Sequence, residues 1–210
     1  MILKYVKDSQ NSNLDLSENV IVLGSSSNVL EQEKGSEIDS FESVIRFNRA
    51  PTAPFEKYIG TKTSVRVLNQ HTAINHPLSL HDYPEYSTQE NFIPNLKNTT
   101  ICIIGPGVNQ NYKNVLDSSN KVYVFDYNRS YEIRKSFQLS KIQTNLTVGF
   151  ITVCLCILSG AQPTIYGFDL NDEKRSHFWE KRTPKSVAHN KSAESYYLKK
   201  FLDEERIKLL

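Results

Sequence analysis

Seven short runs of β-branched and other apolar residues recur along the chain, spaced widely enough to fit a helix or a long loop between most of them. This alternation restricts the fold more than any other feature. The runs are NVIVLG (19–24), SVIRFN (43–48), SVRVLN (64–69), TTICIIG (99–105), KVYVFD (121–126), TIYGF (164–168) and, as a candidate last strand, RIKLL (206–210). Helices are predicted between them at 109–116, 130–139, 147–159 and 192–204. Strands alternating with helices specify an α/β fold with a mostly parallel sheet. The near-continuous apolar character of the strands predicts helices on both faces of that sheet. A chain of 210 residues can bury one full core, so residues 1–210 are expected to form a single domain, with 1–18 a flexible or peripheral segment.

The longest apolar run, LTVGFITVCLCIL (146–158), is shorter than the ~20 residues a membrane-spanning helix needs. It reads as a buried core helix. The N-terminus shows no apolar stretch of signal-peptide length. A net charge of +2 is too mild to indicate nucleic acid, and none is expected as a partner. Cys102, Cys154 and Cys156 occupy apolar positions and are an odd number. That pattern predicts buried free thiols, a reducing and hence cytoplasmic compartment, and no disulfide framework. No Cys or His pair has ligand-like spacing in a loop, so no metal site is expected.

In open α/β sheets ligands collect at the carboxyl ends of the strands. Several strands here end in residues suited to a phosphorylated ligand. Gly24-Ser25-Ser26-Ser27-Asn28 follows the first run, Asn48 ends the second, and Gly105-Pro106-Gly107 follows the fourth. The first of these could offer N–H groups and hydroxyls to phosphate. It could equally be a plain turn with a helix cap at Ser27 or Asn28. Neither the dinucleotide fingerprint nor a Walker loop is present, and the missing Gly-rich fingerprint disfavours a Rossmann-type oxidoreductase or methyltransferase. The stretch from His71 to Ser87 reads as a long binding loop.

The residues from Val20 to Glu194 resemble the animal-type sialyltransferases, glycosyltransferase family 29. The family's large motif is matched in order by Gly24, Gly35, Ile38-Asp39, Arg46-x-Asn48-x-Ala50-Pro51, Phe55-Glu56 and Gly60-x-x-Thr63. Its small motif is matched by Thr147-Val148-Gly149, an apolar helix and Tyr166-Gly167-Phe168. Two short motifs complete the set: His177-Phe178-Trp179-Glu180, and His189 with Glu194 five positions on. The departures are Ser25 where the family has Asn, Leu146-Thr147-Val148-Gly149 where it has Pro-Ser-Thr-Gly, and Val20 and Gly160 where it has disulfide-forming cysteines. The joint loss of both cysteines fits a short, anchor-less bacterial-like or viral member.

The resemblance implies a Rossmann-like sheet in the GT-A-variant arrangement. It also implies metal-independent, inverting transfer of sialic acid from CMP-sialic acid to a glycan or glycolipid acceptor, with no cofactor. Another CMP-activated sugar acid such as Kdo as donor, or a non-catalytic CMP-sugar-binding module, are the alternatives. A lipid-linked acceptor would bring peripheral membrane association. By the same resemblance His189 is the expected general base and His177 the expected group at the leaving phosphate. Gly24, Ser25, Ser26, Asn48, Thr147, Val148, Gly149, Gly167 and Phe168 are expected around the donor, supported by Arg46, Trp179 and Glu194. On residue type alone His189 could be a solvated loop histidine between Lys185 and Lys191, and His177 and Trp179 could simply pack. Thr147 has both a capping and a phosphate-binding reading.

Overall fold

Each of the seven runs forms a strand, and the strands lie in one eight-stranded sheet. The computed structural model describes residues 3–5, 16–73, 99–105, 121–127, 130–142, 145–171, 177–179 and 191–210. In chain order the strands are β1 (Leu3–Tyr5), β2 (Val20–Leu23), β3 (Ser43–Phe47), β4 (Val65–Asn69), β5 (Thr100–Gly105), β6 (Lys121–Asp126), β7 (Thr164–Tyr166) and β8 (Lys208–Leu209). Their spatial order is β1-β6-β5-β4-β3-β2-β7-β8. All neighbours are parallel except β1, which runs antiparallel along β6. The sequence gives no strand signal for β1, which lies within the segment expected at the periphery.

Pleating divides each strand between two cores. Val20, Val22, Ile45, Phe47, Val65, Val67, Cys102 and Ile104 face one layer, with helix α5 (Val148–Leu158) and helix α6 (Lys191–Asp203). Ile21, Leu23 and Val44 face the other, with Ile38 of α1 (Gly35–Asp39) and Ile59 of α2 (Glu56–Ile59). Helix α5 is buried from Phe150 to Cys156, as its unbroken apolar sequence requires. Helix α6 is amphipathic: Ala193, Tyr197, Leu198 and Phe201 are buried while Tyr196, Lys199 and Lys200 face solvent. Phe201 stacks on Phe150 with centroids 6.1 Å apart and meets Phe137 at 5.2 Å, beyond α4 (Ser130–Ser136).

The short helices were not evident from periodicity, because four or five residues make scarcely more than one turn. They are α1, α2, α3 (Gln70–Ala73) and a 3-10 turn at Ser27–Glu31. Helix α3 begins where a loop was expected from His71. Asn69 Oδ1 accepts from Thr72 N at 2.8 Å and so starts a helical turn. The remainder of that loop, the helix expected at 109–116, and Pro106-Gly107 lie outside the described residues.

The topology locates a crevice. From β2 the chain steps outward through β3, β4, β5 and β6, then returns to place β7 on the opposite side of β2. The strand order reverses between β2 and β7, and the carboxyl ends at such a switch point form the ligand crevice of doubly wound sheets.

Candidate active site

At that switch point β2 and β7 end in glycines that touch. A Cβ on Gly24 would stand 2.2 Å from the Gly167 carbonyl oxygen, and one on Gly167 would stand 2.5 Å from Val29 Cγ1. Gly167 also has φ = +75°, which L side chains rarely adopt. Gly24 N donates to Tyr166 O at 2.7 Å and Ser26 N to Gly167 O at 2.9 Å. The turn after β2 is thereby laid against the segment after β7. Phe168 then reaches α5, since a Cβ on Gly149 would meet its Cε1 at 3.2 Å and Phe47 Cε2 at 3.7 Å. Gly24, Gly149, Gly167 and Phe168 are therefore contiguous.

His177 joins the same group through the backbone. Ser26 and His177 form an isolated antiparallel bridge, and Phe178 N donates to Ser25 O at 3.0 Å. The His177 ring lies on Trp179, with centroids 4.8 Å apart and planes 5° from parallel. Phe178 is buried and meets Trp179 and Phe55 edge-on at 4.7 and 5.1 Å. Trp179 thus both packs and orients His177. The hydroxyl of Ser26 and Oδ1 of Asn28 are buried with no hydrogen-bond partner among the described residues. Asn28 Nδ2 donates to Phe168 O at 3.3 Å. Buried polar atoms without partners are costly in a finished core but useful facing a ligand.

Asn48 stands at the carboxyl end of β3 with φ = +43°, a conformation Asn tolerates better than most residues. Its Oδ1 accepts from Asn69 N at 2.9 Å. That bond fixes the amide orientation and, among the described residues, leaves Nδ2 available to donate.

The start of α5 is built by two residues 47 positions apart. Thr147 is the N-cap, extended at φ −69°, ψ 154°, and its Oγ1 accepts from Phe150 N at 3.1 Å. Glu194, in the first turn of α6 and only 6% exposed, takes both donors of Thr147. Its Oε1 accepts from Thr147 N at 2.6 Å and its Oε2 from Thr147 Oγ1 at 2.7 Å. The capping reading of Thr147 therefore holds, and its hydroxyl proton is committed. The N–H groups of Val148 and Gly149 remain as the donors at the helix start. Next along α6, Ser195 Oγ donates to Asp169 O at 2.7 Å, pinning the beginning of α6 to the segment after β7 as well.

Arg46 was expected to face the cleft. It is instead 2% exposed, donating from Nε to Lys62 O at 3.0 Å and from Nη2 to Ile59 O at 2.6 Å. Burial, and then neighbouring Arg66, press its pKa downward, while Asp39 opposes them. Its alternation along β3 points it away from the α5 layer, so it braces α2 and the turn that follows. Asp39 works on the same turn, accepting from Thr61 N, Thr61 Oγ1 and Lys62 N at 2.9–3.0 Å. Much of the large motif is thus scaffold, and Gly24 and Asn48 are its residues at the crevice. His189 and Glu180 lie outside the described residues. Beside the crevice, a cavity of about 270 Å³ opens at the ends of β7 and β8, lined in part by Asn28, Glu31, Tyr166 and Asp169.

The family model for glycosyltransferase family 29 (sialyltransferase) matches residues 3–206. The chain belongs to this family. It is 44% identical over 54 residues to bovine (Bos taurus) beta-galactoside alpha-2,6-sialyltransferase 2, a stretch covering 26% of this chain and 11% of that protein. It is 38% identical over 72 residues to the Mus musculus alpha-N-acetyl-neuraminyl-2,3-beta-galactosyl-1,3-N-acetyl-galactosaminide alpha-2,6-sialyltransferase, covering 34% and 19% of the two chains. The matched stretches thus span well under a quarter of these relatives' length. Among solved structures, a mammalian sialyltransferase superposes with TM-score 0.63 at 18% identity, over 91% of this chain and 68% of that one. Sialyltransferase CstII from Campylobacter jejuni, in complex with a substrate analogue, cytidine-5'-monophosphate, superposes with TM-score 0.54 at 16% identity, over 95% and 80%. These likenesses agree with the Rossmann-like α/β fold of this glycosyltransferase-family chain. No helix among the described residues is long and apolar enough to cross a membrane.

Proposed function

We propose that this chain is an inverting sialyltransferase that moves sialic acid from CMP-sialic acid to a hydroxyl of an acceptor glycan without a metal ion. The observation that carries the reading is the convergence, at the β2/β7 switch point, of the Ser25–Ser26 turn, the α5 start, Gly167-Phe168 and His177. The N–H groups of Val148 and Gly149, at the positive end of α5, suit an anionic phosphate. Ser26 Oγ and Asn48 Nδ2 are additional donors. A nucleotide monophosphate bound by the CstII neighbour is a ligand of this class.

In the proposed reaction the acceptor oxygen forms a bond to the anomeric carbon as its proton passes to His189. The bond from the anomeric carbon to the phosphate oxygen breaks, and its electron pair leaves with CMP. His177 donates a hydrogen bond to that phosphate as its charge grows. His189 precedes α6 by two positions in the sequence, and the start of α6 is tied to both the start of α5 and the segment after β7. Base catalysis of this kind is worth roughly 10²–10⁴ in rate.

The test is CMP release from CMP-sialic acid in the presence of a glycan acceptor and EDTA, with CMP-Kdo as a parallel donor. Release and a sialylated product are expected with EDTA present. The variant His189→Ala should keep CMP affinity within about threefold and lose at least ~10²-fold in transfer. Wild-type turnover by that variant would remove His189 from the role. Product from CMP-Kdo alone would replace the donor.

A further inference from the structure

The cavity of about 270 Å³ at the ends of β7 and β8 lies against the 3-10 turn at Ser27–Glu31. It shares Gly167 and Phe168 with the donor crevice, but its other lining residues have no part in the donor reading. We propose that this cavity holds a neutral sugar ring of the acceptor glycan, the ring next to the one that receives sialic acid. The inference rests on the transferase reading above and deepens it by giving part of the acceptor a place.

Three observations lead there. The first is chemical. Asn28, Gln32 and Asn171 bring side-chain amides to the lining, and Leu170, Leu209 and Leu210 bring apolar surface. An amide both donates and accepts, as a sugar hydroxyl does, and leucine methyls suit the C–H face of a pyranose. None of the described lining residues is Lys, Arg or His, so a phosphate or a sialate would enter without a counter-charge. The second is an unspent acceptor. Asn28 Nδ2 donates to Phe168 O at 3.3 Å, and its Oδ1 is buried with no partner among the described residues. Such an acceptor costs stability until a donor reaches it, and a ligand hydroxyl is such a donor. The third is place. Asp169 lines the cavity, and its carbonyl accepts from the Ser195 hydroxyl at 2.7 Å. The cavity wall is thereby joined to the beginning of α6, which His189 precedes by two positions in the sequence. On the proposed mechanism the acceptor hydroxyl must meet His189, so the acceptor crosses this side of the crevice. The volume lies just under the ~300 Å³ at which small-ligand pockets begin, which suits one ring rather than a nucleotide.

Saturation-transfer NMR on the whole chain with CMP bound tests this. The probes are lactose, lacto-N-biose and chitobiose, each beside the methyl glycoside of its non-reducing sugar. At least one disaccharide should bind about tenfold or more tighter than its methyl glycoside, with saturation reaching both rings. The double variant Gln32→Ala/Asn171→Ala removes two exposed amides. It should erase that preference, while CMP affinity by calorimetry stays within about twofold. If the double variant loses its cooperative melt, Asn171→Ala alone is measured and should lose about threefold or more of the preference. Wild type that binds CMP but prefers no disaccharide, or saturates only one ring of each, overturns the inference and leaves the donor-site reading standing. So does a variant that keeps the full preference. Parallel loss of CMP and cytidine affinity in the variant would give the cavity to the nucleoside and overturn the inference as well. If folded wild type does not bind CMP, the donor-site reading fails and takes the inference with it.

Discussion

Gly24 and Gly167 close the switch point by direct contact: a single Cβ on Gly24 would lie 2.2 Å from the Gly167 carbonyl oxygen. No rotamer relieves that clash, because both groups are backbone. The two strand ends would have to separate, and with them the Ser26–Gly167 hydrogen bond and the bridge to His177. Gly24→Ala is therefore expected to lose about 1–3 kcal/mol of stability, as overpacked sites do. It should also lose at least tenfold in CMP affinity. Urea denaturation and calorimetry check the two parts. A variant with wild-type stability and affinity would mean that the contact does not shape the crevice.

Asp39 ties the turn after α2 and carries a pH signature. Burial pushes its carboxyl up, but the hydrogen bonds from Thr61 and Lys62 and the charge of Arg46 outweigh it, so the folded pKa lies below the ordinary carboxylate value. A depressed carboxylate adds stability fully above its unfolded pKa, near 3.9, and loses it as pH falls through the lower folded value. Asp39→Asn should therefore be less stable than wild type at pH 7 by about 1–2 kcal/mol. The gap should narrow below pH 4 as the wild-type carboxyl protonates. Denaturant melts across pH 2–7 would show it, and a gap independent of pH would contradict the assignment.

How much of this was legible beforehand depends on the range of the interaction. The seven strand runs were readable because parallel strands covered on both faces are continuous apolar stretches, and their positions agree with the structure to within a few residues. TIYGF ends as a strand at Tyr166 because Gly167 turns the chain at φ = +75°. The one-turn helices and β1 carried too few residues to show a period. At the site, Gly24, Asn48, Gly149 and Gly167 could be placed from strand and helix ends alone. The bond between Glu194 and Thr147 could not, since nothing local in either segment names the other. Arg46 illustrates the opposite error. An arginine in a strand next to a site residue suggests a ligand contact, yet the pleat directs it to the other face, where carbonyls of residues 59 and 62 receive it.

The three cysteines are free and buried, as their apolar settings implied. Burial pushes the thiols of Cys102 and Cys156 up to about 12, and that of Cys154 well above its usual value. The thiolate is the reactive species, and a thiol at that value is ionised to roughly one part in 10⁴ at pH 8. Native protein treated with a thiol reagent at pH 8 should therefore show no fast modification. All three should react within minutes in 6 M guanidinium. Fast labelling of the native state would place at least one thiol at the surface.

The stack of Trp179 on His177 predicts a graded effect on catalysis. The indole lies parallel to the imidazole at 4.8 Å, and Phe178 wedges the indole from the side while packing on Phe55. This row of rings fixes the imidazole plane from the crevice wall. Removing the indole costs about 0.5–1.5 kcal/mol of ring–ring contact beyond its buried area, which a folded chain can tolerate. On the role proposed for His177 the larger expected loss is kinetic, because small misplacements of a catalytic group cost up to about 10²-fold. Trp179→Ala should lower kcat by roughly ten- to a hundredfold while the protein still melts cooperatively. Trp179→Phe keeps a flat ring beneath the imidazole and should recover most of that rate. If both variants turned over alike, the indole would be packing and nothing more. If both fell to the level of His177→Ala, Trp179 would instead hold the whole 177–179 segment against Ser25 and Ser26.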